Sequence, residues 1–405
     1  MDNTQIAEEV IRPPLPPGPI KWVRDNLFNS WYNSLLTVIF LPVVFFALVN
    51  LILWVFTEAD WRAVTGFPML FAVGQYPRGE IWRVGTGLSL IIFVLGSSWG
   101  KWGGLLRPVS IVAGIFFAVF ALFPAQHPVL DFGMRSYLGL NFLLLFFGNW
   151  LGKKELFKTT YIIGGWILVP VVFLILLTGF SNSDVLPSVA TTFWGGLLVT
   201  FLLAAGGILI SFPIGILLAL GRRSSLPVVK AFSTIFIETI RGVPLITILF
   251  MFSIILALFL PADSRIDRLI RALMAVTVFS AAYSAENIRG GLQAVPPGQI
   301  EAAKAVGMNG FQTMLFIVLP QAIRTVLPSI VGQFISLFKD TTLVVIVGIN
   351  DLLGIGRSVI NSEPAFVQLQ LEVYLFIALI YWIFSFLMSQ ASRRLEAALG
   401  VNTRL

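Results

Sequence analysis

The sequence has no cysteine, a single histidine and few charged residues, since Asp, Glu, Lys and Arg make up only 12% of its 405 positions. Without cysteine there are no disulfides, thiolate metal sites or cysteine nucleophiles, and His127 by itself cannot build a zinc site or a catalytic triad. A soluble domain usually carries about 25% charged residues, so this composition excludes that class. We therefore predict no catalytic residue and no metal site.

Apolar residues are abundant instead, at 57% of the chain, and the mean hydropathy is +0.90. Apolar stretches of about 20 residues recur, as helices that cross a bilayer require, whereas barrel strands would alternate polar and apolar residues. The prediction is an all-α polytopic membrane protein of about ten transmembrane helices. The candidate spans are Leu35–Phe56, Ile81–Trp99, Pro108–Phe123, Tyr137–Trp150, Tyr161–Phe180, Phe193–Leu220, Phe232–Leu260, Leu269–Ala285, Val326–Val347 and Leu371–Gln390.

The distribution of basic residues indicates the orientation of these spans. If the N-terminus is cytoplasmic and all ten cross, eighteen of the 27 Lys and Arg residues, Arg241 in the bent seventh span among them, are assigned to the inside, eight to the outside and Lys339 to the middle of a span. The positive-inside rule then predicts that both termini are cytoplasmic. Tyr137–Trp150 is the weakest span, because it is short for crossing about 30 Å of hydrocarbon and could instead be re-entrant. Basic loops also explain the net charge of +7 without a nucleic-acid partner.

A polar outside loop, Ser181–Ser188, divides the spans into two groups of five. We predict a cytoplasmic tail over 1–33, an N-terminal extension of about five helices over 34–180, and a core over 181–395. A short cytoplasmic tail over 396–405 follows the core. The start of the chain shows no short apolar segment with a small-residue cleavage site, so no cleaved signal peptide is expected.

The cytoplasmic loop 286–325 within the core is long and patterned, as functional loops often are. Its residues predict two short helices joined at a glycine turn. Pro296-Pro297 suits a helix start, and the negative charge of Glu301 in the early turns is favourable with the helix dipole. Gly307 permits a left-handed cap, and Pro320 is expected to stop the second helix. Such a hairpin suits either docking into a groove of another protein or resting on lipid headgroups, and the pattern alone does not decide between them.

The spacing within this loop resembles the signature loop of ABC importer permeases. Its fixed positions are Glu301, Ala302, Ala303, Gly307, Ile317, Leu319 and Pro320, with Phe311 beside them. Further matches lie at 236–245, 283–291 and 336–343, so that about 190–395 resembles the polar amino acid uptake permeases. The preceding helices resemble, more weakly, those of the long-form subunits of general L-amino acid systems.

The resemblance implies the core of a type I ABC importer permease, in which this loop is the coupling helix that contacts the ATPase. It implies import of polar L-amino acids, acidic and neutral, in a bacterial inner membrane. The implied partners are a cytoplasmic ABC ATPase dimer, a second related permease, a periplasmic amino acid binding protein and membrane lipid. The chain itself would bind no cofactor, because ATP and Mg are used by the ATPase. The nearest phosphate-loop lookalike, at 96–102, is one residue too short and lacks Ser or Thr after its lysine.

Charges within the spans are further candidates, because a charge in hydrocarbon is functional or neutralised. The pathway or gate candidates are Glu238, Arg241, Gly242, Pro244, Lys339, Asp340 and Thr341. Glu238 and Arg241 are three apart and are expected to pair, as are Glu286 and Arg289, while the Gly and Pro predict a kink. We favour a structural or gating role for Lys339 and Asp340, near the middle of the ninth span, over substrate contact. Buried charges and broken helices would equally suit an ion-coupled secondary transporter, which is the alternative function.

Overall fold

The computed structural model describes residues 18–122, 131–154, 157–259, 261 and 266–400, and these ranges contain helices but no strand. His127, residues 1–17 of the predicted N-terminal tail and residues 401–405 of the predicted C-terminal tail lie outside the described residues. The α-helices are α1 Pro19–Leu27, α2 Trp31–Thr57, α3 Arg62–Thr65, α4 Pro68–Val73, α5 Ile81–Trp102, α6 Arg107–Leu122, α7 Phe132–Gly152, α8 Thr159–Thr178, α9 Gly196–Arg222, α10 Pro227–Arg241, α11 Leu245–Phe250, α12 Leu256–Phe259, α13 Arg268–Ala294, α14 Pro297–Ala305, α15 Gly310–Gln312, α16 Leu319–Asp340, α17 Leu352–Ile360 and α18 Gln370–Ala398.

Non-α segments extend several of these helices. Met251–Ile255 and Thr313–Val318 are π-helical, joining α11 to α12 and α15 to α16. Thr341–Val347 is a 3₁₀ helix that follows α16, and Pro364–Leu369 is a 3₁₀ helix that leads into α18. Single π-turns inside α-helices are uncommon and often lie at functional sites.

The helices confirm an all-α polytopic architecture of about ten spans. Seven uninterrupted helical stretches among the described residues are long and apolar enough to cross a membrane. The pair Pro227–Arg241 and Leu245–Phe259 makes an eighth if it counts as one bent span. The short predicted span at 137–150 is part of α7, whose 21 residues extend about 31 Å and are long enough to cross. α6, with 16 residues, is shorter.

Two compact units are distinguished, residues 1–60 and residues 61–405. Within the described part of the first unit, no residue of α1 or α2 is buried. The second unit contains the buried cores, and helices from both the predicted extension and the predicted core belong to it. The predicted boundary between the extension and the core, at 181–188, does not separate these two units and therefore remains a prediction.

Helices α5 and α7 cross at a contact made of glycines. A Cβ on Gly148 would lie 2.5 Å from the carbonyl oxygen of Phe93, and a Cβ on Gly96 would overlap the carbonyl oxygen of Leu145. Gly100 and Gly152 are equally close to the facing backbone. The glycines of the phosphate-loop lookalike therefore lie within a helix, where they allow two backbones to approach.

α13 is the central helix of the region predicted as the core, 181–395, and it packs between α9 and α16. Small residues on α9 make this possible, because a Cβ on Gly215 would lie 2.7 Å from Cβ of Ser284 on α13. The hydroxyl of Ser211 also donates to the hydroxyl of Ser280 at 3.0 Å. This close packing fixes the polar side chains of α13 relative to those of its neighbours.

Candidate functional site

The hairpin predicted within 286–325 is present. Helix α14 begins directly after Pro296, confirming the proline start, and Gly307 adopts a φ of +85° just beyond its end. Asn309 then caps the next helix, since its side chain accepts from the backbone N–H of Gln312 at 2.8 Å while the Gln312 side chain accepts from the N–H of Asn309. The glycine turn and this capping box define a rigid tip.

The prediction that Pro320 stops the second helix is wrong. α15 continues through the π-turn Thr313–Val318 directly into α16. Pro320 is the second residue of α16, where the absence of an N–H is tolerated because hydrogen bonding restarts after the π-turn. The chain from Gly310 to Asp340 is consequently one continuous helical element, about 45 Å long at 1.5 Å per residue.

The signature positions divide into a surface set and a packing set. Glu301, Ala302, Gly307, Phe311 and Pro320 are exposed, whereas Ala303 and Leu319 are buried and Ile317 is half-buried. α14 packs against the π-turn Thr313–Val318 that leads into α16. The exposed members leave an accessible surface that nothing within the described residues covers.

A cluster of charges lies where α9, α10 and α13 meet. The expected pair between Glu238 and Arg241 is wrong, because Glu238 bonds Arg222 of α9 at 2.7 Å. Arg241 lies 3.6 Å from Glu286 of α13, and Glu286 also contacts Arg222 at 3.2 Å. A helix spacing of three allowed the expected pair, but contacts between helices supply closer partners.

The pair between Glu286 and Arg289 is confirmed, with Nε of Arg289 3.0 Å from the Glu286 carboxylate. Glu286 is therefore bonded to arginines on three helices, and its side chain is 22% exposed. A single carboxylate among three guanidinium groups ties α9, α10 and α13 together at one end of the bundle.

The predicted kink after Arg241 is confirmed and is sharp. α10 ends at Arg241, Gly242 and Pro244 follow it, and the next helix leaves at an angle of 107°. The Pro244 carbonyl starts α11 by accepting from the N–H of Thr247 at 3.0 Å. The expected span 232–260 is thus two helices rather than one.

Lys339 and Asp340 do not lie in the middle of a regular span, as expected, but at its last α-helical turn. The hydroxyls of Thr341 and Thr342 each donate to the carbonyl three residues earlier, both at 2.8 Å. Such short-range bonds compete with α-helical ones, and the chain continues as a 3₁₀ helix. Lys339 is exposed, Asp340 is half-buried and Thr341 is buried, so the three side chains have different surroundings.

A cavity of about 440 Å³ lies between α13 and α16. Asp340 lines one part of it and Tyr283 and Asn287 line another. The amide of Gln333 donates to the carbonyl of Ser280 at 2.8 Å and accepts from the Asn287 amide at 2.9 Å, which places paired polar groups along the wall. Ser336 completes the polar lining.

The charge cluster adjoins this cavity. The guanidinium carbon of Arg241 lies 5.6 Å from the ring centroid of Tyr283, within the range of a cation–π contact. Tyr283 lines the cavity, and Glu286 lies one helical turn further along α13. Asp340 therefore lines the cavity directly, whereas Arg241 adjoins it only through its contact with Tyr283.

The sequence singled out neither Ser280 nor Gln333, and it contained Asn287 and Ser336 only within the matched segments 283–291 and 336–343. The sequence pattern that could have found them is a polar stripe along each helix. Ser280 and Asn287 are seven residues apart on α13, and Gln333 and Asp340 are seven residues apart on α16, so each pair lies on one face. Arg222 was also missed, although its place at the end of an apolar helix marks it as a candidate partner for a nearby carboxylate.

A second buried acid, Asp351, lies in the segment between the last two long helices. One carboxylate oxygen accepts from the N–H of Gly354 at 2.8 Å, and the other accepts from the hydroxyl of Tyr381 at 3.1 Å. The side chain is fully buried, and this burial raises the pKa of Asp351 to about 6. It caps α17 and ties that helix to α18, and Tyr381 in turn contacts Thr341 at 3.4 Å.

A multi-pass bundle with a broken helix and a polar cavity between its helices has the construction of a membrane transport protein. The family described as "Binding-protein-dependent transport system inner membrane component" matches residues 211–401. The chain is 37% identical to the inner membrane amino-acid ABC transporter permease protein YhdY of Escherichia coli strain K12, over 93% of this chain and 91% of that protein.

It is also 34% identical to the glutamate/glutamine/aspartate/asparagine transport system permease protein BztC of Rhodobacter capsulatus, over 100% of both chains. A solved structure titled "Crystal structure of an amino acid ABC transporter with histidines" is 32% identical over 50% of this chain and 92% of that chain, with a TM-score of 0.45. The matches to YhdY and BztC, which extend over more than 90% of each chain, show that this chain belongs to the inner membrane components of binding-protein-dependent transport systems, and among them to the amino-acid ABC transporter permeases.

Membership confirms the resemblance found in the sequence, including the long form, because the match to BztC extends over the whole chain. The protein is a multi-pass inner membrane component of an ABC importer, a family that works with an ATPase and a binding protein. The comparisons do not favour the ion-coupled alternative.

Proposed function

We propose that this chain is a transmembrane subunit of an ATP-driven importer of polar L-amino acids, acidic and neutral. In this proposal a separate ATPase dimer, which uses ATP and Mg, moves the hairpin 297–318 and thereby opens and closes the passage. The observation that supports it best is the continuous helical element from Gly310 to Asp340, which joins the exposed hairpin to the polar cavity. A displacement of the hairpin would be transmitted along this element toward the cavity, and Pro328 and the π-turn Thr313–Val318 are the places where the element can bend.

The surface of the hairpin supports docking to a protein. Val306, Phe311 and Phe316 are 78%, 74% and 62% exposed, and they surround the glycine turn. Apolar side chains on short, capped helices fit a groove of another protein, and Glu301 adds a charge beside them. This surface would be the contact with the ATPase.

The cavity supports a polar substrate. Although the sequence favoured a structural or gating role for Asp340, its carboxylate lines the cavity and suits the ammonium group that all amino acids share, and Ser336 offers a hydrogen bond. The names of the relatives support amino acids such as glutamate and glutamine. We further propose that a second, related permease subunit supplies the other half of the passage, and that a periplasmic binding protein delivers the substrate.

The test is uptake of labelled glutamate and glutamine by vesicles that contain this chain, its ATPase, the second permease and the binding protein. We expect uptake to require ATP and to persist when ion gradients are collapsed. Glu301→Lys is expected to lower uptake at least tenfold and to weaken co-purification of the ATPase, because it reverses the charge on the docking surface. Glu58→Lys, the same change at an exposed residue at the end of α2, is the matched control.

Two outcomes would contradict the proposal. Gradient-driven uptake by this chain alone would identify an ion-coupled transporter. Normal uptake and undiminished ATPase in the Glu301→Lys complex would show that the hairpin is not the docking surface.

A further inference from the structure

The short helix α1 precedes the first membrane span and has two different faces. Ile20, Val23 and Leu27 are spaced i, i+3 and i+7 and so lie on one side. Lys21 and Asp25 lie on the opposite side. The apolar stripe predicts burial, yet α1 contains no buried residue.

The apolar side is uncovered at its outer end. Ile20 is 86% exposed and Val23 is 39% exposed, while Leu27 is half-buried. Arg24 lies at one edge of this face, whereas Trp22, which is 51% exposed, lies on the opposite side with Lys21 and Asp25. A long basic side chain at the edge of an apolar face is typical of helices that lie at a membrane surface, because its aliphatic stem packs on apolar groups while its charge reaches the headgroups.

The position of α1 is fixed by its connection to α2. Only residues 28–30 separate the two helices, and the hydroxyl of Thr37 donates to the carbonyl of Leu27 at 2.9 Å. Trp31 and Tyr32, 80% and 54% exposed, begin the membrane-spanning helix, as aromatic residues do at the bilayer interface. This short connection keeps α1 close to the start of the first membrane-spanning helix.

We propose that α1 lies in the membrane–water interface and binds the headgroups of anionic lipids. Ile20 and Val23 enter the acyl boundary, and the ammonium of Lys21 and the guanidinium of Arg24 donate to lipid phosphate oxygens. Lipid is the partner because the neighbouring helix exposes apolar side chains along its whole length and enters the bilayer three residues later. The chemistry is that of an acidic phospholipid surface.

The absence of cysteine makes a direct test possible, because a single introduced cysteine can carry a spin label. The full chain bearing Ile20→Cys or Asp25→Cys is labelled and reconstituted into phosphatidylcholine vesicles with or without phosphatidylglycerol. These positions are about 140° apart around the helix. We expect the label at 20 to be accessible to oxygen, which dissolves in lipid, and the label at 25 to be accessible to a water-soluble nickel chelate.

The basic residues are tested by adding Lys21→Gln and Arg24→Gln to the Ile20→Cys chain. On phosphatidylglycerol vesicles, the ratio of immersed to aqueous label should fall by about fivefold for each charge removed. On phosphatidylcholine alone it should change little. This dependence on lipid composition distinguishes lipid headgroups from free phosphate, which would act equally in both kinds of vesicle.

Three results would overturn the proposal. Equal access of nickel to both labels would place α1 in water, and shielding of the label at 20 from both reagents would indicate a protein partner. If Lys21→Gln and Arg24→Gln leave the immersion of the label at 20 unchanged on phosphatidylglycerol vesicles, these two residues do not bind lipid headgroups. Uptake is not measured, so the result stands apart from the transport proposal.

Discussion

Asp351 shows how a single buried acid can be kept in a membrane protein. Both carboxylate oxygens have partners, one in the cap of α17 and one in the hydroxyl of Tyr381. A buried donor left without a partner costs about 1–3 kcal/mol, so removing this side chain would leave two such groups. The raised pKa of Asp351, about 6, shows that burial outweighs these bonds in favouring the protonated form.

The first prediction concerns Asp351→Ala and Asp351→Asn. Alanine should lower the free energy of unfolding by about 2–4 kcal/mol, because it removes the acceptors of Gly354 and Tyr381. Asparagine keeps the shape and the capping oxygen, so its effect should be smaller. The thermal unfolding midpoint of the purified chain in detergent measures both, and equal losses would contradict the hydrogen-bond explanation.

The same residue gives a pH prediction. Its folded pKa, about 6, exceeds the ordinary value for an aspartic acid, so the folded state binds the proton more tightly. The penalty for burying the charge is full above pH 6 and is relieved as the pH falls toward 4. Between pH 7.5 and 5 the wild type should gain about 1 kcal/mol relative to Asp351→Asn. A pH-independent difference between the two midpoints would refute this.

Glu286 differs from Glu238 in the number of its partners. Glu286→Gln would leave Arg222, Arg241 and Arg289 without their shared carboxylate and should cost about 1–3 kcal/mol. Glu238→Gln, the same change at a side chain that is 54% exposed, should cost less than about 1 kcal/mol and lose its effect in high salt. Unfolding midpoints at low and high salt compare the two, and equal costs would show that Glu286 does not hold the cluster together.

At the scale of helices, the crossing of α5 and α7 depends on glycine. Gly148→Ala would place a methyl group 2.5 Å from the Phe93 carbonyl oxygen, and separating the helices should cost about 1–3 kcal/mol. Gly139→Ala on the same helix is the matched control, because its Cβ would meet nothing within 4 Å. The expected result is a lower unfolding midpoint for the first variant only. Similar midpoints would mean that the helices separate without cost.

Hydropathy predicted the helices because a bilayer demands long apolar segments, and Gly242 with Pro244 predicted the kink because each weakens a helix locally. Partners across helices were not predictable, as Glu238 and Arg222 show, since spacing along one helix carries no information about the next. The end of α16 was also missed. Its cause is a pair of hydroxyl bonds at Thr341 and Thr342, which a hydropathy average does not register.

At the scale of the whole molecule, the transport proposal requires that the hairpin and α17 lie on opposite sides of the membrane. Between them lie α16, with 22 residues, and the 3₁₀ helix Thr341–Val347, together more than the 20 or so residues that cross a bilayer. The hairpin precedes this stretch and α17 follows it. Basic residues in the sequence favour a cytoplasmic hairpin, as the positive-inside rule requires.

The last prediction tests this arrangement in the cell. Val306→Cys in the hairpin and Asn361→Cys at the end of α17 replace exposed residues in a chain that has no cysteine of its own. In intact spheroplasts, a maleimide that does not cross membranes should label the cysteine at 361 and not that at 306, and both should react after permeabilisation. The wild-type chain, which should remain unlabelled, is the blank. Labelling of position 306 in intact spheroplasts would place the hairpin outside, where no cytoplasmic ATPase could reach it, and coupling through 297–318 would then be impossible.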